Sequence, residues 1–459
     1  METKRWCGWI RLLGAGAWFV AVSTGPAVGQ ATSRVSVDSS GAQGDGESYV
    51  PSISADGRYV AFHSYATNLV TGDTNGRGDV MVHDRHSGTT DRVSVDSSGG
   101  QGNHHSWYPS ISADGRYVAF YSAASNLVAG DTNGFYDIFV HDRQGGTTER
   151  VSVHSSGTQG NEDSFSPSIS VDGRYVAFHS SATNLVAGDS NGIDDVFVHD
   201  RQSGNTERVS VDSSGTEGNR ASYDASISAD GRYVAFESFS TNLVAGDTNF
   251  AYDVFVYDRQ SSTAERVSID SSGTQGNSGS YEPSISADGR YVAFESLATN
   301  LVAGDTNDDS DVFVHDRQSC TAERVSVDSS GIQGNNRSHE PSISADGLRV
   351  GFESFSTNFV AGDTNGDSDV FVHDRQSGTT ERVSVDSSGA QGNNASYYAS
   401  MSADGRHVTF WSHATNLVAG DTNFGSDVFV HDREGIGTKY CTSNANSTGA
   451  PADLAASGS

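Results

Sequence analysis

Two short stretches set the pattern of this chain: "YVAFHS" at 59–64 and "DVMVHD" at 79–84, where β-branched, aromatic and small apolar residues are bounded by polar ones. Such runs are too short for helices and rich in the side chains that suit a pleated surface. Together with "VPSIS" at 50–54 and "RVSV" at 92–95, they predict four short strands over 50–54, 58–64, 79–84 and 92–95. Asp56 and Gly57, between the first two, are the pair that a two-residue type I′ hairpin uses, because both central positions need positive φ. Alternation within "YVAF" and "VMV" gives the strands faces to bury against neighbours.

The pattern then returns at a fixed interval. The aspartate of "SADGR" or a close variant falls at Asp56, Asp114, Asp172, Asp230, Asp288, Asp346 and Asp404, 58 residues apart. The arginine of "RVSV" or "RVSI" keeps the same period from Arg34 through Arg92, Arg150, Arg208, Arg266 and Arg324 to Arg382, and Tyr440 stands where an eighth would fall. Repeats of four strands are the sequence form of a β-propeller, so seven units predict an all-β fold of seven four-stranded blades over 30–433. The first "RVSVD", at 34–38, has no earlier strands of its own, and the last unit lacks its fourth. The N-terminal strand is therefore expected to complete the last blade, closing the ring and removing two exposed edges.

"PSISADGRYVAFHS" followed by "DVMVHDR" resembles the WD40-like (PD40) repeat of TolB-type propellers over about 34–433. Ala55 stands where that repeat has proline and Ile53 where it usually has an aromatic, and the long "ATNLVAGDTNG" insertion is unlike the plain TolB repeat. The resemblance implies a propeller fold. Because the family spans periplasmic binding proteins and the propeller parts of proteases and lyases, it implies no single activity.

Variation among the copies falls after "QGN", after "DTN" and at the end of the second strand, all on one face of the expected disc. Divergence on one face of a rigid scaffold suits a binding surface, though long loops also drift. One position there is aromatic or histidine in every copy: Tyr49, Trp107, Phe165, Tyr223, Tyr281, His339 and Tyr397. Near the mouth of a central channel these rings could stack on sugar or peptide groups, or simply pack between blades. At the end of the second strand His63, Tyr121 and His179 give way to Glu237, Glu295 and Glu353, then Trp411, which predicts a chemically lopsided rim. Paired carboxylates can do acid/base work, but no nucleophile or orienting partner accompanies them, and near-identical blades do not supply the differing roles of a catalytic centre.

"GDTNGRGD" places Asp73, Asn75 and Asp79 at relative positions 1, 3 and 7, close to the oxygen spacing of calcium loops. Blades five and six add a carboxylate, giving Asp305, Asn307, Asp309 and Asp311, and Asp363, Asn365, Asp367 and Asp369. Three or four side-chain oxygens with carbonyls and water are consistent with weak Ca²⁺ binding, with Kd on the order of 10⁻⁴ to 10⁻³ M. The same residues build Asx turns without an ion. The histidines of "HDR", one per blade except Tyr257, do not cluster and are expected to make structural hydrogen bonds, while Asp-Arg pairs such as Asp84 and Arg85 are expected to tie strand ends.

The remaining sequence adds location and charge. Residues 1–29 carry a basic start, an apolar run and Ala27-Val28-Gly29 as a small-x-small cleavage site, the pattern of a signal peptide, with a membrane anchor as the alternative. No later segment is apolar enough to span a bilayer. The formal charge of −30 excludes nucleic acid as a natural partner. Cys7 would leave with the signal, and Cys320 and Cys441 do not make a disulfide framework. The Gly/Ser/Ala-rich stretch at 434–459 reads as a tail. The chain is thus expected to be a secreted, periplasmic or cell-surface propeller that binds a protein or glycan without catalysis. The alternatives are a glycan-acting hydrolase or lyase using the rim, and a structural envelope protein.

Overall fold

A computed structural model describes residues 30–434. The expected signal peptide, and the tail with Cys441, lie outside the described residues. Strand β1 (Ala31–Arg34) is followed by a first blade of β2 (Ser48–Ile53), β3 (Tyr59–Ser64), β4 (Asp79–Asp84) and β5 (Thr89–Arg92). Blades two to six repeat it as β6–β9 (106–150), β10–β13 (164–208), β14–β17 (222–266), β18–β21 (280–324) and β22–β25 (338–382). The seventh holds β26 (Ser396–Met401), β27 (His407–Ser412) and β28 (Asp427–Asp432), with β1 beside β28. The seven-bladed all-β propeller and its N-terminal closure are as the repeats predict.

The core lies between blades. Val80 and Val82 of blade one, with Val93 beyond its last strand, pack against Val118, Phe120, Leu127 and Phe139 of blade two, and the arrangement recurs round the ring. At the closure Val35, Val428 and Val430 meet Ile53, Val60, Phe62 and Met81. Strand β4 is buried along its whole length, since blades cover both of its faces.

Two local expectations are corrected. The fourth strand is Thr89–Arg92, not 92–95. Val93 N still bonds Val80 O at 2.8 Å, but the chain then leaves the ladder, and Val95 bridges to Gln101 across a turn leading to the next blade. The apolar alternation of "RVSV" therefore records burial between blades. The Asp56-Gly57 turn is not a two-residue type I′ hairpin either: of its two central residues only Gly57 has positive φ, at 73°. Ser54 N reaches Tyr59 O at 2.9 Å, which makes a four-residue loop, and Asp56 Oδ1 accepts from Ser54 Oγ and Arg58 N. Glycine is needed twice over, because a Cβ on the equivalent Gly115 would lie 2.1 Å from the Tyr59 ring of the preceding blade.

On this near-invariant face Asp84 pairs not with Arg85 but with Arg58, through Nε at 2.8 Å and Nη2 at 2.7 Å. The corresponding arginines of later blades reach backwards, Arg259 Nε to Glu207 at 2.7 Å, so they tie blade to blade. The expected histidine bond is present where a threonine stands opposite, as at His83 Nδ1, 2.9 Å from Thr90 Oγ1; His315 faces Ala322 and its Nδ1 has no partner among the described residues.

Candidate functional site

The opposite face carries the variable loops and two features that the blades build in different ways. The first is a latch. Asp79, fully buried, accepts from Ser94 Oγ at 2.6 Å, Gln101 Nε2 at 2.9 Å and Arg92 Nη1 at 3.2 Å, and Gln101 Nε2 also reaches Asp73 Oδ1 at 2.9 Å. Asn75 closes an Asx turn on Arg77 N and donates to Gly102 O. In blade five Asp305 and Asp311 meet Gln333 and Arg324; in blade six Asp363 and Asp369 meet Gln391 and Arg382. Asn307 and Asn365 donate to Gly334 O and Gly392 O. The loop carboxylates thus converge on a guanidinium and an amide belonging to the link towards the next blade. Asp309 and Asp367 stand outside the latch, their backbone N–H groups bonded to Asn307 and Asn365.

Blade three departs from this pattern. Glu217 takes the glutamine position, and oxygens of Asp189, Asp195 and Glu217 lie within 4.8 Å of one another, a group that could hold a metal ion. Arg208 Nη1 stands among them at 3.5, 3.1 and 2.9 Å. Asp189 Oδ1 has no hydrogen-bond partner. Burial and the surplus of negative charge push Asp189 and Asp195 up to about 6. Glu217→Gln restores the donor found in blades one, four, five, six and seven. We expect it to raise the melting temperature at pH 7 by about 1–3 °C, the effect of roughly 1 kcal/mol from replacing like-charge crowding by two hydrogen bonds; a lower value in a thermal melt counts against the latch.

The second feature surrounds the axis. In every blade the innermost strand is bulged, and the residue after the recurring aromatic has positive φ: Val50 (47°), Tyr108 (50°), Ser166 (49°), Asp224 (46°), Glu282 (50°), Glu340 (52°) and Tyr398 (58°). A non-glycine residue in this region is strained by about 1–2 kcal/mol, so seven in register mark an imposed geometry. Tyr108, Ser166, Asp224, Glu282, Glu340 and Tyr398 line a cavity of about 550 Å³ with a floor of prolines and serines. The bulge residues were missed in the sequence, although their variation from blade to blade was visible beside the uniform aromatic position.

The predicted aromatic and glutamate positions form a belt behind and above this cavity. Its aromatic arc runs through Tyr397, Trp411, Tyr49 and His63, with ring centroids 4.5, 5.0 and 5.4 Å apart, and continues from Tyr121 to Phe165 at 5.2 Å. Trp107 stacks on His105 and Tyr136. Tyr223 and Tyr281 flank Tyr252. The rings therefore pack across blade boundaries, and Tyr49, Trp107 and Trp411 also wall an open cleft of about 310 Å³ with Tyr65. Tyr108 and Tyr121 belong to both cleft and cavity.

The glutamates have a structural task as well. Glu237 Oε2 accepts from Glu282 N at 3.0 Å, Glu295 Oε2 from Glu340 N at 3.3 Å and Glu353 Oε2 from Tyr398 N at 2.8 Å, so each holds the bulge of the following blade. His339 Nδ1 lies 3.0 Å from Glu295 Oε2. Burial, with Asp224 and Glu295 nearby, pushes Glu237 up to about 8. Burial and surrounding carboxylates likewise raise Glu340 to about 8 and hold Glu282 well above the usual range. On the other side, burial lowers His179 and takes His63 down to about 3, so both imidazoles are neutral at pH 7.

These features define a closed, asymmetric β-propeller with a cavity at one end of its axis. No known family model matches the chain, and no curated protein matches it. Among solved structures it is similar to the β-propeller domain of the Trilobed protease from Pyrococcus furiosus, at 11% identity and a TM-score of 0.52, covering 84% of this chain and 95% of that one. It is also similar to an oligogalacturonate lyase in complex with manganese, at 11% identity and a TM-score of 0.51, covering 87% and 92%. A TolB protein from Agrobacterium tumefaciens shares 19% identity over 60% of this chain and 79% of its own, with a TM-score of 0.39. At these identities the likeness to the first two shows the fold. The Pyrococcus propeller is described as having an open velcro topology, whereas β1 closes the present ring.

Proposed function

We propose that the protein is a non-catalytic binding module acting outside the cytoplasm, whose protein or glycan ligand enters the cavity and lies along the aromatic cleft. The observation that carries this reading is the joining of cavity and cleft through Tyr108 and Tyr121 on the one face where the blades differ. Rigid aromatic walls beside unpaired polar groups are the composition of a ligand site. The acidic charge and the signal-like residues 1–29 support an extracytoplasmic setting, as a periplasmic, secreted or surface protein. Among the described residues no helix is long and apolar enough to cross a membrane.

The tryptophans give a direct test, because after removal of residues 1–29 only Trp107 and Trp411 remain, and both line the cleft. A panel of extracellular glycans and peptides is expected to include ligands that change tryptophan emission saturably without being consumed, and Tyr49→Ala is expected to weaken them about tenfold, a loss typical of an aromatic contact worth about 1.4 kcal/mol. Turnover of a glycan in the same samples would establish the hydrolase or lyase alternative. A panel with no responding ligand would favour a structural envelope role.

For a divalent cation the residues of blade three fit better than the regular loops. There three carboxylates face a single guanidinium, while in blades one, five and six the matching acids share an arginine and a glutamine. We place weak Ca²⁺ binding at Asp189, Asp195 and Glu217. Millimolar CaCl₂ is expected to raise the melting temperature by about 1–2 °C over EDTA and over MgCl₂, as native-state binding requires, and Glu217→Gln is expected to abolish that rise. A rise that survives Glu217→Gln and disappears with Asp309→Ala and Asp367→Ala would return the ion to the loops of blades five and six.

A further inference from the structure

The cavity is unevenly charged. Its acids come from three successive blades, Asp224, Glu282 and Glu340, and among the described residues no hydrogen bond or ion pair reaches any of their side-chain oxygens. No lysine or arginine lines it. Facing them, Tyr108 and Tyr398 stand 6.3 Å apart with rings at 83°, and Tyr108 stacks on Tyr121 at 5.7 Å. His179 lines the same space, is only 8% exposed, and has an Nδ1 without a partner. The geometry therefore points one way: three carboxyl groups without partners share the space with π faces and with no lysine or arginine, burial and mutual repulsion keep protons on Glu282 and Glu340, and a cation entering among them would convert them to carboxylates.

The size of that cation follows from the spread of the acids. Among the described residues the acidic group whose oxygens come within 4.8 Å of one another is Asp189, Asp195 and Glu217, away from the cavity. The three cavity acids are too dispersed to close round one bare ion. At about 550 Å³ the space falls within the range of roughly 300–1,000 Å³ common to small-molecule sites. Resting on the binding-module reading, we propose that the cavity takes an alkylammonium chain with two or more positive charges, its ammonium groups against Asp224, Glu282 and Glu340 and its methylenes against Tyr108, Tyr121 and Tyr398. This chemistry is presented by a free polyamine and by the lysine side chains of a peptide.

The test titrates the full chain with spermidine, with a capped tri-lysine peptide, and with MgCl₂ at matched charge, in about 0.15 M salt so that diffuse attraction is screened beyond about 8 Å. Binding is read by calorimetry and by emission of Trp107 and Trp411. At least one polyammonium ligand is expected to saturate at one per chain. Glu282→Gln with Glu340→Gln is expected to weaken it at least tenfold, with Asp224→Asn as a second variant, whereas Asp308→Asn on an exposed loop leaves it unchanged. Saturation by spermidine alone identifies a free polyamine, and by the peptide alone a protein partner. Failure of both, an equal response to MgCl₂, or equal weakening by Asp308→Asn overturns the proposal. Saturation by an uncharged glycan or apolar peptide, with no response to polyammonium, overturns the charge assignment while leaving the binding module in place.

Discussion

A chain beginning at residue 37 is expected to melt about 5–9 °C below one beginning at residue 30. The first six residues of the ring do the work that chain continuity does elsewhere. Strand β1 pairs with β28 from Ala31 opposite Asp432 to Arg34 opposite Phe429, and Val35 N continues to Val428 O at 2.8 Å. Arg34 Nη1 reaches the buried Asp427 at 3.1 Å, and Ser36 Oγ reaches its other oxygen at 2.6 Å. Without them, among the described residues, Asp427 keeps the amide of Gln43. Removing one partner of a buried pair costs about 3–5 kcal/mol, and loss of the buried Val35 adds about 1.5–3 kcal/mol. For a chain of this size the unfolding entropy, about 2.1 cal/mol/K per residue, makes 1 kcal/mol worth about 1 °C, which gives the stated shift. It also leaves β28, buried along its length, as an open edge, so the shortened chain is expected to associate at concentrations where the longer one does not. Adding a peptide of residues 30–38 in trans should recover most of the lost stability. A melting temperature within 2–3 °C of the longer chain, with no association, would mean that contacts between blades alone hold the ring.

The same closure shows which parts of the molecule could be read from the chain. Arg34 belonged to a repeat whose first three strands were missing, so its partner had to be at the other end. The register of seven copies fixed the rest of the ring, and fully buried positions such as Phe120 and Phe178 fall where the alternation places them. The cavity was hidden for a physical reason. Positive φ is usually announced by glycine or asparagine, whereas Val50, Tyr108 and Glu282 adopt it because neighbouring strands impose the bulge. Reading the first strand as a regular ladder assigned the axis to Tyr49 and its equivalents and overlooked the next residue. The latch was hidden differently. Spacing within "GDTNGRGD" shows which oxygens can converge but not on what, and the answer, Arg92 and Gln101, lies 13 to 28 residues further on. Asp, Asn and Gly at calcium-like spacing are compatible with an ion, an Asx turn and an internal guanidinium alike.

Stability at alkaline pH carries the second large effect, and it arises where the glutamates hold the bulges. Glu237 is buried, accepts from Glu282 N, and is faced by Asp224, Glu282 and Glu295, with Tyr223 and Tyr252 on its aromatic side. Its folded-state value of about 8 lies above the ordinary carboxylate range, so between those limits the folded chain holds a proton that the unfolded chain has released. The stabilisation is complete below about pH 4.5 and is lost as pH rises through 8, by a few kcal/mol on the order given by linkage. Glu237→Gln keeps the acceptor for Glu282 N and removes the titration. The variant is expected to melt within about 1 °C of the parent at pH 5 and several degrees above it at pH 9, with the difference growing steadily between. Because Glu282 and Glu340 titrate in the same direction, the variant retains part of the alkaline loss, and adding Glu340→Gln should remove more of it. Thermal melts at pH 5, 7 and 9 decide the matter. A difference that does not change with pH would show that Glu237 is ionised throughout, compensated by a charge that the cavity obtains from elsewhere, and the acids round the axis would then be a filled site rather than one awaiting its cation.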